Sequence, residues 1–162
     1  MDGMAGSYLG PDFNDDEIAE RLTAVGARFT RLTPEQTIDQ TAQALADEKA
    51  VGWMQGRMEF GPRSLGARSI LGDARSPSMQ KTLNLKVKYR ESFRPFAPAV
   101  LREDVDKYFE FNTDSPYMLM VAPVVEGRRR AMTADEEKLF GIDKLNVPRS
   151  DIPAVTHIDY SG

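Results

Sequence analysis

The chain contains no cysteine and a single histidine, His157. The absence of cysteine excludes a disulfide framework, a thiolate nucleophile and a zinc site built on cysteine. One histidine cannot form a histidine-rich metal site, and a Ser-His-Asp triad could use only His157, around which no ligand or triad pattern repeats. We therefore interpret His157 as an ordinary surface or strand histidine.

Long apolar runs are also missing. No stretch approaches the roughly 20 apolar residues that cross a bilayer. The start, "MDGMAGSYLG", lacks the basic stretch and following apolar stretch of a signal peptide. We expect no membrane partner and a reducing, cytoplasmic setting. With 162 residues, of which 41% are hydrophobic, the chain is long enough for one domain of ordinary size with its own core.

The net charge of −4 is distributed unevenly along the chain. The segment from Arg57 to Arg94 holds nine cations and three anions, a balance of +6, which leaves −10 for the remainder. An acidic protein with one concentrated basic segment is not expected to bind nucleic acid by general attraction. A compact anionic ligand fits this distribution better.

Local patterns predict an α+β, or irregular α/β, fold, because helices and strands mix without regular βαβ alternation. Asn14 with Glu17 and Thr33 with Gln36 form capping-box patterns that predict two helices, over residues 15–26 and 34–48. Shorter helices are predicted within "SPSMQKTLNLKVK", "EDVDKYFE" and "TADEEKLFG", the last ended by Gly141. Strands are predicted at 50–55, at 68–73, within "FRPFAPAVL" and at 117–125. The arginines of "EGRRRAM" are interpreted as a solvated basic loop.

The stretch "QGRMEFGPRSLGARSILGD" combines two residue types suited to phosphate. Its glycines, at steps of five, allow sharp turns and close approach of the backbone to a ligand. Its arginines carry planar donor forks that match phosphate oxygens in pairs. The stretch is neither a Walker A loop nor GxGxxG. Two interpretations stay open, a pair of tight turns with surface arginines or a loop shaped around a phosphate, and Glu59 is available to hold one arginine by an ion pair.

The second basic stretch, "LNLKVKYRESFRP", places cations at two-residue spacing. If it is extended, Lys86, Lys88 and Arg90 line one face, with Arg94 after a turn; on a helix they diverge. Such close like charges repel each other by a kcal/mol or so at surface dielectric, which a bound anion or nearby carboxylates would relieve. A solvated basic edge and an anion site are both compatible with this run alone. The two basic stretches together favour the anion site, with one forming the wall opposite the other.

The run from Gly56 to Leu101 resembles the carboxy-terminal domain of the O-carbamoyltransferases, which make carbamoylated nodulation factors and antibiotics. The resemblance extends from about Tyr8 to the end and is densest over these 46 residues. In that family the region is a YrdC-like domain, a twisted mixed sheet flanked by helices, with a Lys-x-Arg followed four residues later by Lys or Arg. Lys88, Arg90 and Arg94 match this element. Residues 8–162 would form that domain, after a linker or cloning-derived segment at 1–7.

The resemblance implies a mechanism and its residues. The domain would bind ATP, with Mg²⁺ on its phosphates, and carbamoyl phosphate, and would form carbamoyl-adenylate. The residues implied in catalysis, which would grip the phosphates, are Arg63, Lys88 and Arg94. The candidates for cofactor binding are Arg57, Arg68, Ser69, Lys86 and Arg90. No metal ligand is assigned within this chain.

The partner implied by the resemblance is an amino-terminal transfer domain, which carries its own metal and passes the carbamoyl group to an acceptor hydroxyl. Neither that domain nor a later Asn-Thr-Ser-Phe-Asn stretch of the family is present. We therefore expect a fragment of a larger enzyme that does not complete the full reaction alone. A sheet left incomplete at its C-terminal end would have an unpaired edge, which leaves homodimerisation open. The alternatives are an RNA-binding YrdC-like module and a threonylcarbamoyl-adenylate synthase.

Overall fold

A computed structural model describes residues 2–162, which form two compact units. The first unit extends to Leu71, and the second is Gly72–Gly162. Met1, which belongs to the predicted 1–7 segment, lies outside the described residues. The predicted division into 1–7 and 8–162 stays a prediction.

The first unit contains the two helices predicted from their caps, α1 (Asp15–Ala24) and α2 (Pro34–Ala46). The Asn14 side chain accepts from the backbone N–H groups of Asp16 and Glu17, and the Glu17 carboxylate accepts from the N–H of Asn14. Thr33 and Gln36 form the same reciprocal pair ahead of α2. Because the side chains satisfy N–H groups that a helix start leaves unpaired, both starts are fixed locally.

The predicted strands at 50–55 and 68–73 form as β1 (Val51–Met54) and β2 (Arg68–Leu71). They pair antiparallel, with Val51 opposite Leu71 and Met54 opposite Arg68. Helix α2 packs against β1. A 3₁₀ turn at Ala5–Ser7 precedes these elements, and the chain after it lies beside the loop between the strands: Gly10 donates to Met58 O, and Met58 donates to Pro11 O, both at 2.9 Å.

The second unit is built from short helical segments. Helix α3 (Met79–Thr82) continues into a π-helix (Leu83–Lys88), so the helix predicted within "SPSMQKTLNLKVK" forms from Met79 to Lys88. The remaining elements are a 3₁₀ turn (Arg102–Asp104), α4 (Val105–Tyr108), a 3₁₀ turn (Glu126–Arg128), α5 (Ala134–Glu137), α6 (Gly141–Leu145) and a 3₁₀ turn (Pro153–Val155). The helix predicted within "TADEEKLFG" forms as α5, which Thr133 caps, but it ends at Glu137, and Gly141 begins the next helix instead of ending this one.

The core of the second unit consists of two apolar clusters joined by Phe96. One contains Phe109, Ala122, Val124, Ile152 and Val155; the other contains Met79, Leu83 and Ala154. Phe96 packs against both clusters, and its N–H donates to Ala154 O. Gly72 passes so close to Met79 that a Cβ at this position would lie 2.8 Å from the Met79 side chain, so only glycine fits there.

The predicted α+β class is confirmed, but two predicted strands do not form. Neither "FRPFAPAVL" nor 117–125 is a strand, and the latter contributes only isolated bridges from Pro123 and Val124. Pro95 and Pro98 have no N–H to donate to a ladder, and residues 118–121 are all exposed. Within residues 2–162 the sheet is therefore two-stranded and antiparallel, not the larger mixed sheet implied by the YrdC resemblance. Across these residues no helix is long and apolar enough to span a membrane.

We predict that Met79→Ala lowers the free energy of unfolding by about 2–5 kcal/mol, because it removes a side chain that is 1% exposed and leaves a cavity between helix and Gly72. Met120→Ala is the matched control, since Met120 is 52% exposed, and should change stability by less than about 0.5 kcal/mol. Urea unfolding measures both; equal effects would contradict the assigned core.

A pH dependence is predicted for the Asp73–Arg75 pair. Hydrogen bonds from Arg75 hold the pKa of the Asp73 carboxyl below its usual 3.8. A carboxyl whose folded pKa is lowered adds stability above its unfolded pKa and loses it as pH falls through the folded value. Asp73→Asn should therefore be less stable than wild type at pH 7, and the difference should shrink below about pH 4. Urea unfolding at several pH values checks this; a constant difference would contradict it.

Candidate functional site

The glycine–arginine loop, residues 55–69, lies in the first unit and leads from β1 into β2. Its glycines Gly56, Gly61 and Gly66 have φ angles of 57°, 115° and 122°. Side chains with a Cβ rarely adopt these values, which explains why the loop needs glycine at this spacing. The expectation of sharp turns at these positions is confirmed.

A buried carboxylate, Glu59, organises this loop from inside. Its side chain is fully buried and accepts hydrogen bonds from the N–H groups of Leu65 at 2.8 Å and Ala67 at 2.6 Å. Arg68 Nε donates to the other carboxylate oxygen at 3.2 Å. The Arg68 guanidinium also donates to the carbonyls of Gly61 and Arg63. Glu59 therefore does hold an arginine, and it fixes the backbone from 59 to 68 as well.

The other predicted residues of this loop differ in how they are held. Arg57 is tied to the N-terminal chain, because its Nε donates to Gly10 O at 3.1 Å. The Ser69 hydroxyl accepts from Gly66 N–H at 3.1 Å. Arg63 is exposed, and its side chain has no hydrogen bond or ion pair with the residues that the structure describes. Of the arginines of this loop, Arg63 is the one available to an external anion.

The second basic stretch lies in the other unit and is not extended. Lys86 and Lys88 belong to the π-helix Leu83–Lys88. The helix continues because Met79, Leu83 and Val87 form an apolar stripe on the core. Residues two apart on a helix do not share a face, so the single row of Lys86, Lys88 and Arg90 does not form. Both lysines are exposed and, within the described residues, unpaired.

Helix and loop change direction at Tyr89, which has a left-handed backbone with φ 50° and ψ 52°. After it, Arg90 is half-buried, with its guanidinium 5.0 Å from the centre of the Phe96 ring. Arg94 is exposed and pairs with Glu91 at 3.2 Å. A solvent-exposed pair of this kind contributes little stability, so Arg94 can leave it for an anion.

A residue that the sequence patterns did not single out, Asn84, holds this loop together. Its side chain is completely buried, accepts from Arg90 Nε at 2.6 Å and donates to Arg94 O at 2.7 Å. Gln80, four residues earlier, donates to Phe93 O at 2.8 Å. The sequence did carry one signal for this arrangement. Gln80 and Asn84 lie four residues apart, so their amides share a helix face beside the apolar stripe.

The charges of the second stretch repel one another. The pKa of the Arg90 guanidinium is lowered from its usual value, first by burial and then by the positive charge of Arg94, with Glu91 opposing. A further positive charge beside Arg90 therefore costs electrostatic free energy, and a bound anion would offset that cost. We call Lys86, Lys88, Arg90 and Arg94, which fall within nine residues of the sequence, the cation cluster. That it faces the Arg63 loop stays a prediction.

The arginines of "EGRRRAM" are not a solvated loop. Each is bound within the second unit: Arg128 pairs with Asp151, Arg129 with Glu110, and Arg130 with Glu136. The carboxylates come from 6 to 23 residues away in sequence, so the local pattern could not indicate them. These arginines contribute ion pairs to the fold, and each would have to exchange a carboxylate partner to reach a ligand.

A serine, a histidine and an aspartate also meet near the end of the chain. Ser161 Oγ lies 3.2 Å from His157 Nδ1 and donates to Asp159 at 2.7 Å. These bonds hold the pKa of the Asp159 carboxyl below its usual value. The serine proton is directed to the carboxylate and not to the imidazole, which is the reverse of a catalytic triad. This group closes a turn and gives no nucleophile.

We predict that Glu59→Gln loosens the glycine–arginine loop and lowers the free energy of unfolding by about 1.5–3 kcal/mol, the range for charged hydrogen bonds. A neutral amide cannot accept from both backbone N–H groups and Arg68 at once. Glu20→Gln, at an exposed position of α1, is the matched control and should stay within about 0.5 kcal/mol of wild type. Denaturant unfolding measures the free energy of unfolding of both variants, and equal values would refute the role of Glu59.

The chain resembles known proteins over nearly its whole length. It is 47% identical to nodulation protein U of Rhizobium fredii over 95% of the chain and 21% of that protein. It is 38% identical to 3'-hydroxymethylcephem-O-carbamoyltransferase of Streptomyces clavuligerus over 74% of the chain and 19% of that enzyme. An uncharacterized protein of Synechocystis is 56% identical over 99% of the chain and 26% of its own length. The chain thus spans about a quarter or less of these relatives.

The family model described as carbamoyltransferase C-terminus matches residues 42–162, which include the cation cluster of the second unit and all the glycine–arginine loop. This match covers well over half of the chain. The chain therefore belongs to the carbamoyltransferase C-terminus family.

Proposed function

We propose that this chain is the part of an ATP-dependent O-carbamoyltransferase that binds carbamoyl phosphate and ATP and forms carbamoyl-adenylate. The observation that carries the proposal is the cation cluster. Lys86 and Lys88 are exposed without partners among the described residues, beside an Arg90 whose pKa is lowered by burial and by Arg94. A compact, multiply charged anion relieves that repulsion, and phosphates are such anions.

The proposed reaction needs water as its third reactant. Water releases orthophosphate from carbamoyl phosphate and leaves carbamate. A carbamate oxygen then attacks the α-phosphorus of ATP; a new O–P bond forms, the bond to the β-phosphate bridge breaks, and pyrophosphate leaves. One carbamoyl phosphate, one ATP and one water thus give carbamoyl-adenylate, orthophosphate and pyrophosphate. Both steps depend on neutralising phosphate charge, and neither requires a side-chain nucleophile.

The roles follow from how each cation is held. In this proposal Lys88 and Arg94 contact phosphate oxygens, Lys88 as a point charge and Arg94 by exchanging its Glu91 partner for the ligand. Arg63 would do the same from its own loop. Arg57, Arg68, Ser69 and Arg90 already bind protein groups, so their contribution is chiefly to hold the loops. Lys86 adds charge to the cluster.

Magnesium would arrive on the ATP phosphates. The described residues contain no group of three or more His, Cys, Asp or Glu side chains that could hold a metal ion. In this proposal the ATP phosphates hold the magnesium ion, and no metal ligand is assigned to this chain.

The remainder of a longer protein would supply the acceptor chemistry. Relatives four to five times as long as the chain, among them an enzyme named as an O-carbamoyltransferase, support a partner domain that carries the carbamoyl group to a hydroxyl. A relationship of the present chain to YrdC-like domains is part of the same proposal, although residues 2–162 form only a two-stranded sheet. RNA binding and threonylcarbamoyl-adenylate synthesis gain no support from membership of this family.

We predict that Lys88→Ala and Arg63→Ala each weaken binding of carbamoyl phosphate and ATP by about 10-fold to 150-fold. Each variant removes a charged hydrogen bond, which contributes about 1.5–3 kcal/mol. Calorimetric titration of each ligand into wild type and variants measures the loss.

Matched controls are an exposed lysine and an exposed arginine outside the two basic stretches. Lys138→Ala and Arg28→Ala keep the same change in charge and should bind both ligands as wild type does. Unchanged binding in Lys88→Ala and Arg63→Ala would remove these residues from the site. Equal losses in the controls would show that net charge alone, and not a site, attracts the ligands.

A further inference from the structure

The amide of Asn84 is almost completely used in hydrogen bonds to the loop that follows the π-helix. Asn84 has 0% exposure. Its Nδ2 donates to Ser92 O at 3.2 Å and to Arg94 O at 2.7 Å, and its Oδ1 accepts from Arg90 Nε at 2.6 Å. An amide has two N–H donors and one carbonyl oxygen, so both donors and the acceptor atom are engaged.

Further bonds connect the same helix to the same loop. The Asn84 carbonyl accepts from the N–H of Arg90 at 3.0 Å, and Gln80 donates to Phe93 O. Within the loop, the one backbone bond found in the described structure joins Arg94 N–H to Glu91 O at 3.4 Å. The conformation of residues 90–94 is therefore set by the helix, and chiefly by Asn84.

These contacts determine where the charges stand. Lys88 is the last residue of the π-helix and Arg94 follows the loop, so the path between them is shaped by the bonds of Asn84 to Arg90, Ser92 and Arg94. Arg90 is held on two sides, at Nε by Asn84 and across its face by Phe96.

We propose that Asn84 is the positioning residue of the cation cluster: it sets the spacing of Lys88, Arg90 and Arg94 without contacting a ligand. Its effect on ligand binding rests on the proposed function, whereas its hold on the loop does not. No other side chain of this size gives two donors and one acceptor here. Aspartate would turn carboxylate oxygens toward the carbonyls of Ser92 and Arg94, and alanine would leave three partly buried polar groups without the Asn84 partner.

The first arm of the test measures the loop directly. Trypsin cleaves after Lys88 and Arg90, but not after Arg94, because proline follows. In Asn84→Ala, cleavage after Lys88 and Arg90 should be about tenfold faster relative to cleavage after Lys138, because the loop opens once its buried bonds are lost. Asn146→Ala, at an exposed asparagine, is the matched control and should show the wild-type pattern.

The second arm compares two anions, pyrophosphate and orthophosphate, by calorimetric titration. Pyrophosphate can engage several cations at once and depends on their spacing, whereas orthophosphate depends on it less. Asn84→Ala should lower the ratio of pyrophosphate to orthophosphate affinity about tenfold. Partial unfolding would reduce both affinities by the same factor and leave the ratio unchanged, so the ratio separates positioning from stability. Gln80→Ala removes one bond to the same loop and should move both readouts in the same direction by less.

Each result of the two arms either supports or overturns the inference. Unchanged cleavage in a folded Asn84→Ala protein overturns the inference, and so does faster cleavage with an unchanged affinity ratio. If Asn84→Ala does not fold, Gln80→Ala serves as the deciding variant on the same two criteria. If wild type binds neither anion, the proposed function fails for this chain, while the cleavage pattern still shows whether Asn84 holds the loop.

Discussion

The arrangement of the second unit depends on the burial of one neutral amide, Asn84. Its bonds to Arg90, Ser92 and Arg94 bring a charged loop back onto the helix that precedes it. The same loop continues into Phe96, which packs on both apolar clusters. A buried amide without partners would be strongly destabilising, so the core and the loop must form together. The charged loop of the unit is thereby connected to its apolar core.

The first unit uses the opposite chemistry for the same purpose. Glu59 is a buried acceptor that gathers N–H groups and Arg68, whereas Asn84 is mainly a donor that gathers carbonyls. Each of these buried side chains forms hydrogen bonds with the backbone of its loop. What each loop leaves exposed is positive charge, Arg63 in one and Lys88 with Arg94 in the other. Such preorganised cations suit an anion whose charge grows during a reaction, because they need no rearrangement when it does.

Membership of the carbamoyltransferase C-terminus family gives these cations a chemical context. A chain without cysteine, whose single histidine closes a turn with Ser161, offers little for covalent catalysis. The exposed cations of the chain can instead contribute electrostatic stabilisation. Other arginines are abundant, but those at 128–130 are occupied by carboxylates of the fold. The arginines at 128–130 thus differ from Arg63 in the partners each one has, not in how many stand together.

The sequence by itself determined the features that arise from neighbouring residues. The capping boxes at Asn14 and Thr33 predicted α1 and α2 within two residues of their ends, and the glycine spacing predicted the sharp turns at 56, 61 and 66. Only the tertiary structure decided which apolar stretches pair. Strands β1 and β2 pair with each other, whereas "FRPFAPAVL" and 117–125 do not form strands. It also decided the helical course of Lys86 and Lys88 and the roles of Glu59 and Asn84. Local signals suffice where a side chain satisfies its own backbone, whereas strand pairing and buried polar contacts depend on residues that only folding brings together.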